Sequence, residues 1–355
     1  MKVVAYIHSY SGSVAACEMQ RAMIERYCDY HGIMCNQYYC DTAEVRRTSR
    51  NAEEIRTLGY EHAYRLEKYF PEYELMLRSI VLGNIKTILV DTLGRLTANK
   101  CQKQFFDKLC THFNVEVIEV CGYIEGQCQE EKRTVAIYHV TDRSKDRPKI
   151  YTKNLDSLYE FVVQQKCWAT PFLFQDFSLK KTDHIKYQEL KKHVSEYGVL
   201  LTTDFYHIED KLGTFLIEVS ALKKAGVTVE SMKEGIIRWT SDQFINENLK
   251  VAIYDRWMDD YDKTLELERL KAFVKFKTNW EIAGVFIEEN KVEIDSGQKE
   301  LPRLIQEVRK YNAILVRKFN LLHWRTSMFF KIAKQLKVPI YSMKEGGIYL
   351  ETSGI

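Results

Sequence analysis

The chain has 355 residues, 45% hydrophobic and 28% charged, with 52 Lys plus Arg against 49 Asp plus Glu and a formal net charge of +3. This composition excludes a disordered or low-complexity chain, and it offers no Lys- or Arg-rich tail, so the charge balance neither supports nor excludes DNA as a partner. No apolar stretch approaches the ~20 residues of a membrane span, and the apolar part of the N-terminus is too short for a secretory leader, so the expected place is the cytoplasm with no membrane contact.

Chain order shows a recurring pattern. Residues 3–8 form a short apolar run of strand length, and Ser11-Gly12-Ser13 supplies turn chemistry and a helix cap. Residues 15–31 carry apolar side chains at helical spacing and stop at Gly32. Residues 33–39 read as a second strand, and 41–56 as a charged loop leading into helix. An amphipathic helix over 74–80 ends at Gly83, a strand follows over 85–90, a helix over 101–113 and a last strand over 115–120.

The same order returns twice. In the second copy the openings and closings are Val135-Ala136-Ile137-Tyr138 and Val227 to Gly235. Its helices fall at 155–164, 187–196 and 212–225, and its inner strands at 171–174 and 198–203. The third opens on Val251-Ala252-Ile253-Tyr254 and closes on Val338 to Gly346, with helices at 265–278, 301–311 and 327–336 and strands at 282–288 and 313–318. The last two closings share Ser-Met-Lys-Glu-Gly, at 231–235 and 342–346. A period of about 110 residues is too long for a solenoid, so each copy is expected to be a domain with its own core. The domains predicted are 1–130, 131–245 and 246–355. Residues 122–133 and 235–250 read as polar connectors. Strands alternating with helices imply an α/β fold, each domain a mostly parallel sheet flanked by helices.

The nine cysteines all lie in the first half, in no C-x-x-C pair and without zinc-type histidine spacing. Reduced thiols are expected, with no metal and no cofactor.

Several stretches together resemble one family. Tyr6-Ile7-His8-Ser9, then Glu18, Gln20 and Arg21 in a helix ending at Gly32, then Tyr39 and Asp41, are similar to the opening of the catalytic domain of serine site-specific recombinases, the resolvase and invertase family. Leu75-Met76-Leu77 near Gly83, Ile88-Leu89-Val90 and Leu93-Gly94-Arg95-Leu96 continue the resemblance. The third copy carries it at Val251 to Arg256, Asp295-Ser296-Gly297 and Ala313 to Val316. The resemblance implies three tandem resolvase-like domains, the first least degenerate, and a reaction in which a serine hydroxyl attacks a DNA phosphodiester. That chemistry needs several arginines, because fixed cationic donors stabilise the doubly anionic transition state.

The family opening is Tyr, any residue, Arg, any residue, Ser. Counting from Tyr6 puts His8 at the arginine and Tyr10 at the serine. A shifted register brings Ser9 to the nucleophile position, with Ser11 in reach. Arg95 survives from the family's later arginine pair. In the third copy Arg256 falls on the first arginine position, but Met258 on the serine. In the second, Asp142 stands where the serine belongs.

The candidate catalytic residues are therefore Ser9, Ser11, Arg95 and His8. The candidate DNA-binding residues are Arg46, Arg47, Arg50 and Arg256, with Glu44, Glu53 and Glu54 interleaved among the first group. Plainer readings stand beside these: the serines as turn and cap residues, Arg95 as an ion-paired side chain, and His8 as a packed polar residue. The expectation is a divergent, catalytically impaired recombinase-like protein that binds DNA or a recombinase-type protein. The alternatives are an active recombinase using the first domain, and an anion or nucleotide binder with a nest at Ser11-Gly12-Ser13.

Overall fold

The opening apolar run forms β1 (Lys2–His8) in a computed structural model of the chain. The structure describes residues 2–42, 70–97, 100–122, 133–141, 148–165, 167–177, 184–240, 248–256, 263–288 and 298–351. Arg46, Arg47, Arg50, Asp142, Met258 and Asp295-Ser296-Gly297 lie outside these residues. β1 is covered on both faces, as its unbroken apolar run requires. Strand alternation sends Val4 and Tyr6 to one apolar layer and Ala5 and Ile7 to the other.

The chain divides into two compact units, Met1–Thr203 and Asp204–Ile355. The first unit continues with α1 (Val14–His31), β2 (Gln37–Asp41), α2 (Pro71–Val81), β3 (Ile85–Val90), α3 (Lys100–His112) and β4 (Glu116–Glu119). These strands pair in parallel in the order β2-β1-β3-β4. Then come β5 (Val135–Val140), α4 (Pro148–Gln164), β6 (Phe172–Asp176), α5 (Ile185–Lys192) and β7 (Val199–Thr202). β5 lies between β6 and β7, again in parallel.

The second unit holds α6 (Leu212–Lys224), β8 (Thr228–Ser231), β9 (Gly235–Trp239), β10 (Leu249–Arg256), α7 (Lys263–Phe276), β11 (Trp280–Glu288) and α8 (Glu300–Glu307). It ends with β12 (Ala313–Val316), α9 (Thr326–Leu336), β13 (Ile340–Ser342) and β14 (Gly346–Glu351). Its strands run β11-β10-β12-β13-β14-β9-β8. Pairing is parallel from β11 to β13 and antiparallel from β13 through β14 and β9 to β8. The protein is thus α/β, with mostly parallel strands and intervening helices.

The expected order of strand and helix recurs three times, and one polar device recurs with it. Tyr6 Oη donates to Asp41 at 2.9 Å, and Asp41 accepts the backbone N–H groups of Glu72 and Tyr73. Tyr138 donates to Asp176, which accepts from Lys186 and Tyr187. In the third repeat Glu288 accepts from Lys299, Glu300 and Leu301. A carboxylate ending the second strand thereby satisfies the orphan N–H groups of the next helix and sits at the positive end of its dipole. The equivalence corrects the sequence alignment of the openings. Tyr6, Tyr138 and Tyr254 each stand two places before the residue paired with that carboxylate. Val135-Ala136-Ile137-Tyr138 therefore matches Val3-Val4-Ala5-Tyr6, one residue earlier than the composition of the runs suggests.

Residues 235–250 are not simply a connector, because 235–239 form β9. Each Ser-Met-Lys-Glu-Gly closes a hairpin with a three-residue loop, and Gly235 and Gly346 take φ of 98° and 87°, the left-handed conformation such loops place on glycine. The compact units also cut across the repeats, since 131–245 gives β5 to β7 to one unit and α6, β8 and β9 to the other. Two contacts account for this. α4 packs on α1 and on the short turn at Leu93–Arg95, and β9 pairs with β14.

Candidate functional site

Three of the four candidate catalytic residues meet in the first unit, at the carboxyl ends of β1 and β3. β1 ends at His8, so Ser9 begins the turn that leads into α1. That turn is fixed by Ser13, whose Oγ accepts from Ala16 N–H and caps the helix, and by Gly12 at φ 77°. Gln20 reaches back from α1 to hold the backbone of His8, accepting its N–H at 3.1 Å and donating to its carbonyl at 3.0 Å.

Ser9, Tyr10 and Ser11 converge on a single oxygen. Asp156 Oδ2 accepts from Ser9 Oγ at 3.1 Å, from Tyr10 N–H at 3.0 Å and from Ser11 N–H at 3.4 Å. Its other oxygen accepts from Arg95 Nη1 at 2.6 Å. Two consecutive backbone N–H groups, a hydroxyl and a guanidinium make an anion nest, and the anion is a carboxylate from α4, in the second repeat. Arg95 turns its remaining face to Asp91, donating through Nε and Nη2 at 3.1 Å and 2.9 Å. Asp91 in turn accepts from Tyr159 Oη at 3.1 Å and from Thr92 N–H at 2.7 Å.

The cluster is sealed. The side chains of Arg95, Asp91 and Asp156 are all 0% exposed, as is Ser9. One cation against two carboxylates leaves a net charge of −1, which repels a phosphate rather than attracting it. Burial pushes the Asp156 carboxyl up, with Arg95 opposing. Burial also works against the Arg95 charge, yet Asp156 and Asp91 together hold it well above its ordinary value.

Proton accounting limits the serines further. Ser9 Oγ accepts from Ser13 N–H at 3.0 Å and lies 3.0 Å from Ser11 Oγ, while Ser11 Oγ donates to Glu160 at 3.2 Å. Two hydroxyl protons serve three contacts, so both hydroxyls are committed within the protein.

His8 does not join this cluster through its ring. It shares the Tyr6 face of β1, opposite the face that continues to Ser9, and its ring packs at 4.1 Å from Tyr10 and 4.9 Å from Phe70. Arg256 is buried at 7% exposure at the end of β10, which removes it from any exposed face that could track phosphates. Its N–H donates to Asp255 and its carbonyl accepts from Arg317. Arg317 bonds Asp255 at 2.9 Å. Trp280, a candidate for base stacking, is core, packed against Tyr341 and Phe273.

Asp156, Asp91, Tyr159 and Glu160 were missing from the sequence reading. One signal for Asp156 was present: it shares a stripe of α4 with Thr152, Leu155, Tyr159 and Val162, all buried, and a carboxylate on an apolar stripe demands a partner. Asp91 stands four residues before Arg95 at a strand end, within reach across one turn.

Among the described residues no group of three or more His, Cys, Asp or Glu is placed to hold a metal, and no helix is long and apolar enough to cross a membrane. No family model and no curated protein matches the chain. Among solved structures, a periplasmic solute-binding protein of an ABC transporter from Actinobacillus succinogenes with bound D-allose is similar at 11% identity, over 59% of this chain and 78% of that one, with a TM-score of 0.21. An ABC transporter solute-binding protein from Bacillus halodurans with bound myo-inositol matches at 11% identity over 60% and 76%, with a TM-score of 0.20. Superpositions this loose carry no argument about fold or ligand.

Proposed function

We propose that the chain is a divergent relative of the serine recombinases, built of three tandem resolvase-like domains, that has lost strand cutting and serves as a scaffold binding DNA or a recombinase-type protein. The observation that carries this reading is the occupant of the first nest. Ser9, Arg95 and the Tyr10 and Ser11 N–H groups all point to one place, as a phosphoryl-transfer site would have them do, and that place holds Asp156. A serine whose hydroxyl faces a buried internal carboxylate has no room for a phosphodiester, and the arginine that would stabilise the transition state is spent on two aspartates. The third repeat supports the same reading, since Arg317, Asp255 and Arg256 engage one another at the corresponding strand ends.

The test is a search for a covalent adduct. Incubated with nicked and duplex DNA and then denatured, the protein is expected to give no protein-DNA species. A denaturant-resistant adduct that disappears in Ser9→Ala or Ser11→Ala would overturn the proposal and establish an active recombinase. DNA docking is read separately, as a salt-dependent mobility shift weakened in the double variant Arg46→Glu, Arg47→Glu. Absence of any shift at low salt assigns the scaffold to a protein partner.

A further inference from the structure

Helix α1 and strand β2 bring four thiols into one apolar layer. Cys17 and Cys28 are buried there among Ala5, Ile7, Ile24 and Leu89, while Cys35 and Cys40 are partly buried against it. All four are free. They form two pairs of different character. Cys17 and Cys40 hydrogen-bond to each other through their side chains. Cys28 meets the backbone of Cys35, and Cys35 Sγ donates to the Gln37 carbonyl at 3.5 Å.

β1 and β2 set Cys40 beside Ile7 in register, so its side chain faces α1, where Cys17 sits one turn beyond the Ser13 cap. Arg21, on the same helix, lies with its guanidinium 4.7 Å from the centre of the Tyr38 ring, which places a cation near Cys40. The hydrogen bond from Cys17 lowers Cys40 to about 7, against the effect of burial, and Arg21 lowers it further. The same bond, with burial, raises Cys17. Burial raises both Cys28 and Cys35. One pair therefore holds a thiolate beside a protonated thiol near neutral pH, and the other holds two thiols.

We propose that Cys17 and Cys40 form a reversible intramolecular disulfide on exposure to a hydroperoxide, with Cys40 as the sulfur attacked first. The Cys40 thiolate attacks the terminal peroxide oxygen; the S–O bond forms, the O–O bond breaks, and the departing oxygen takes a proton from solvent to leave as water or an alcohol. Cys17 Sγ then attacks the Cys40 sulfenic sulfur; the S–S bond forms, the S–O bond breaks, and hydroxide leaves as water with the Cys17 proton. Two thiols lose two electrons and the peroxide gains them. Exposure fits this order, because Cys40 is partly open to solvent and Cys17 is 5% exposed. The bond ties α1 to the residue preceding Asp41, the carboxylate that caps α2.

The test uses the full-length reduced chain, a single equivalent of hydrogen peroxide at neutral pH, alkylation of the remaining thiols and peptide mass mapping. A cross-linked peptide pair joining Cys17 to Cys40 is expected, formed at least tenfold faster than oxidation of the exposed Cys167 and reversed by dithiothreitol. In Cys17→Ser the reaction is expected to stop at a sulfenic acid on Cys40, captured by dimedone. The wild-type map decides the matter independently of how the variant folds. The proposal is overturned if Cys17 and Cys40 remain free once Cys167 is oxidised, if Cys28 cross-links to Cys35 first, or if wild-type Cys40 accumulates as sulfenic acid without a cross-link.

Discussion

Arg95 illustrates how a side chain suited to catalysis becomes structural through its neighbours. A guanidinium with two faces filled by Asp91 and Asp156, at 0% exposure, gains strong charge-assisted hydrogen bonds, but all three charges lose their hydration. The net benefit over an apolar core is small; the penalty for removing one member is large, since it leaves buried charge without a counterpart. Arg95→Met is therefore expected to destabilise the first unit by about 3–5 kcal/mol, read as a lowered denaturation midpoint. Adding Asp91→Leu and Asp156→Leu should recover most of that loss. A single variant that costs under about 1 kcal/mol would place the cluster in contact with water and reopen the site to a substrate.

At the level of elements, the repeated Ser-Met-Lys-Glu-Gly turn shows what the sequence exposed and what it concealed. The repetition itself was legible, as were nearly all the strands and helices, because apolar period and helix-ending glycines are local properties. β9 and β14 were not, since each is stabilised by pairing with the other across a separation of about one repeat, which no local pattern reports. The site followed the same division. Ser9, Ser11 and Arg95 emerged from their local motifs, whereas Asp156 lies 61 residues from Arg95 on a helix of the next repeat.

The turn also carries a pH dependence. Ser231 accepts the N–H groups of Lys233 and Glu234 and donates its own proton to the Glu234 carboxylate, which in turn accepts Phe205 N–H at 3.2 Å. Burial raises Glu234 to about 7 from 4.5, with the nearby Asp204 carboxylate adding to the rise and the Ser231 and Phe205 bonds opposing it. The folded form therefore holds its proton more tightly than the unfolded one. Stability from this group is fully present below 4.5 and is lost as pH rises through about 7. Urea midpoints of the second unit should fall across that window, and Glu234→Gln should flatten the slope. An unchanged slope in the variant would show that another group titrates there.

Over the whole molecule, the compact units combine parts of different repeats, and the second unit does so with reciprocal contacts. Leu212 N–H donates to Trp324 carbonyl at 2.9 Å, and Thr326 N–H donates to Asp210 carbonyl at 2.7 Å, on either side of an antiparallel bridge between Lys211 and Arg325. The starts of α6 and α9 thus bind each other as two copies of one surface do across a two-fold axis, the pattern that an isologous interface imposes. Phe330 sits in this seam at 0% exposure, with ring centres 4.8 Å from Phe205 and 5.4 Å from Phe215, joining the third repeat to the second. Phe330→Ala leaves a cavity among those rings and is expected to cost about 3–5 kcal/mol. Because the two hydrogen bonds share one bridge, the loss should appear in hydrogen exchange as an equal fall in protection at the Leu212 and Thr326 amides. If Thr326 lost protection while Leu212 kept it, the second and third repeats would open separately, and the seam would be a contact between independent modules rather than the core of one.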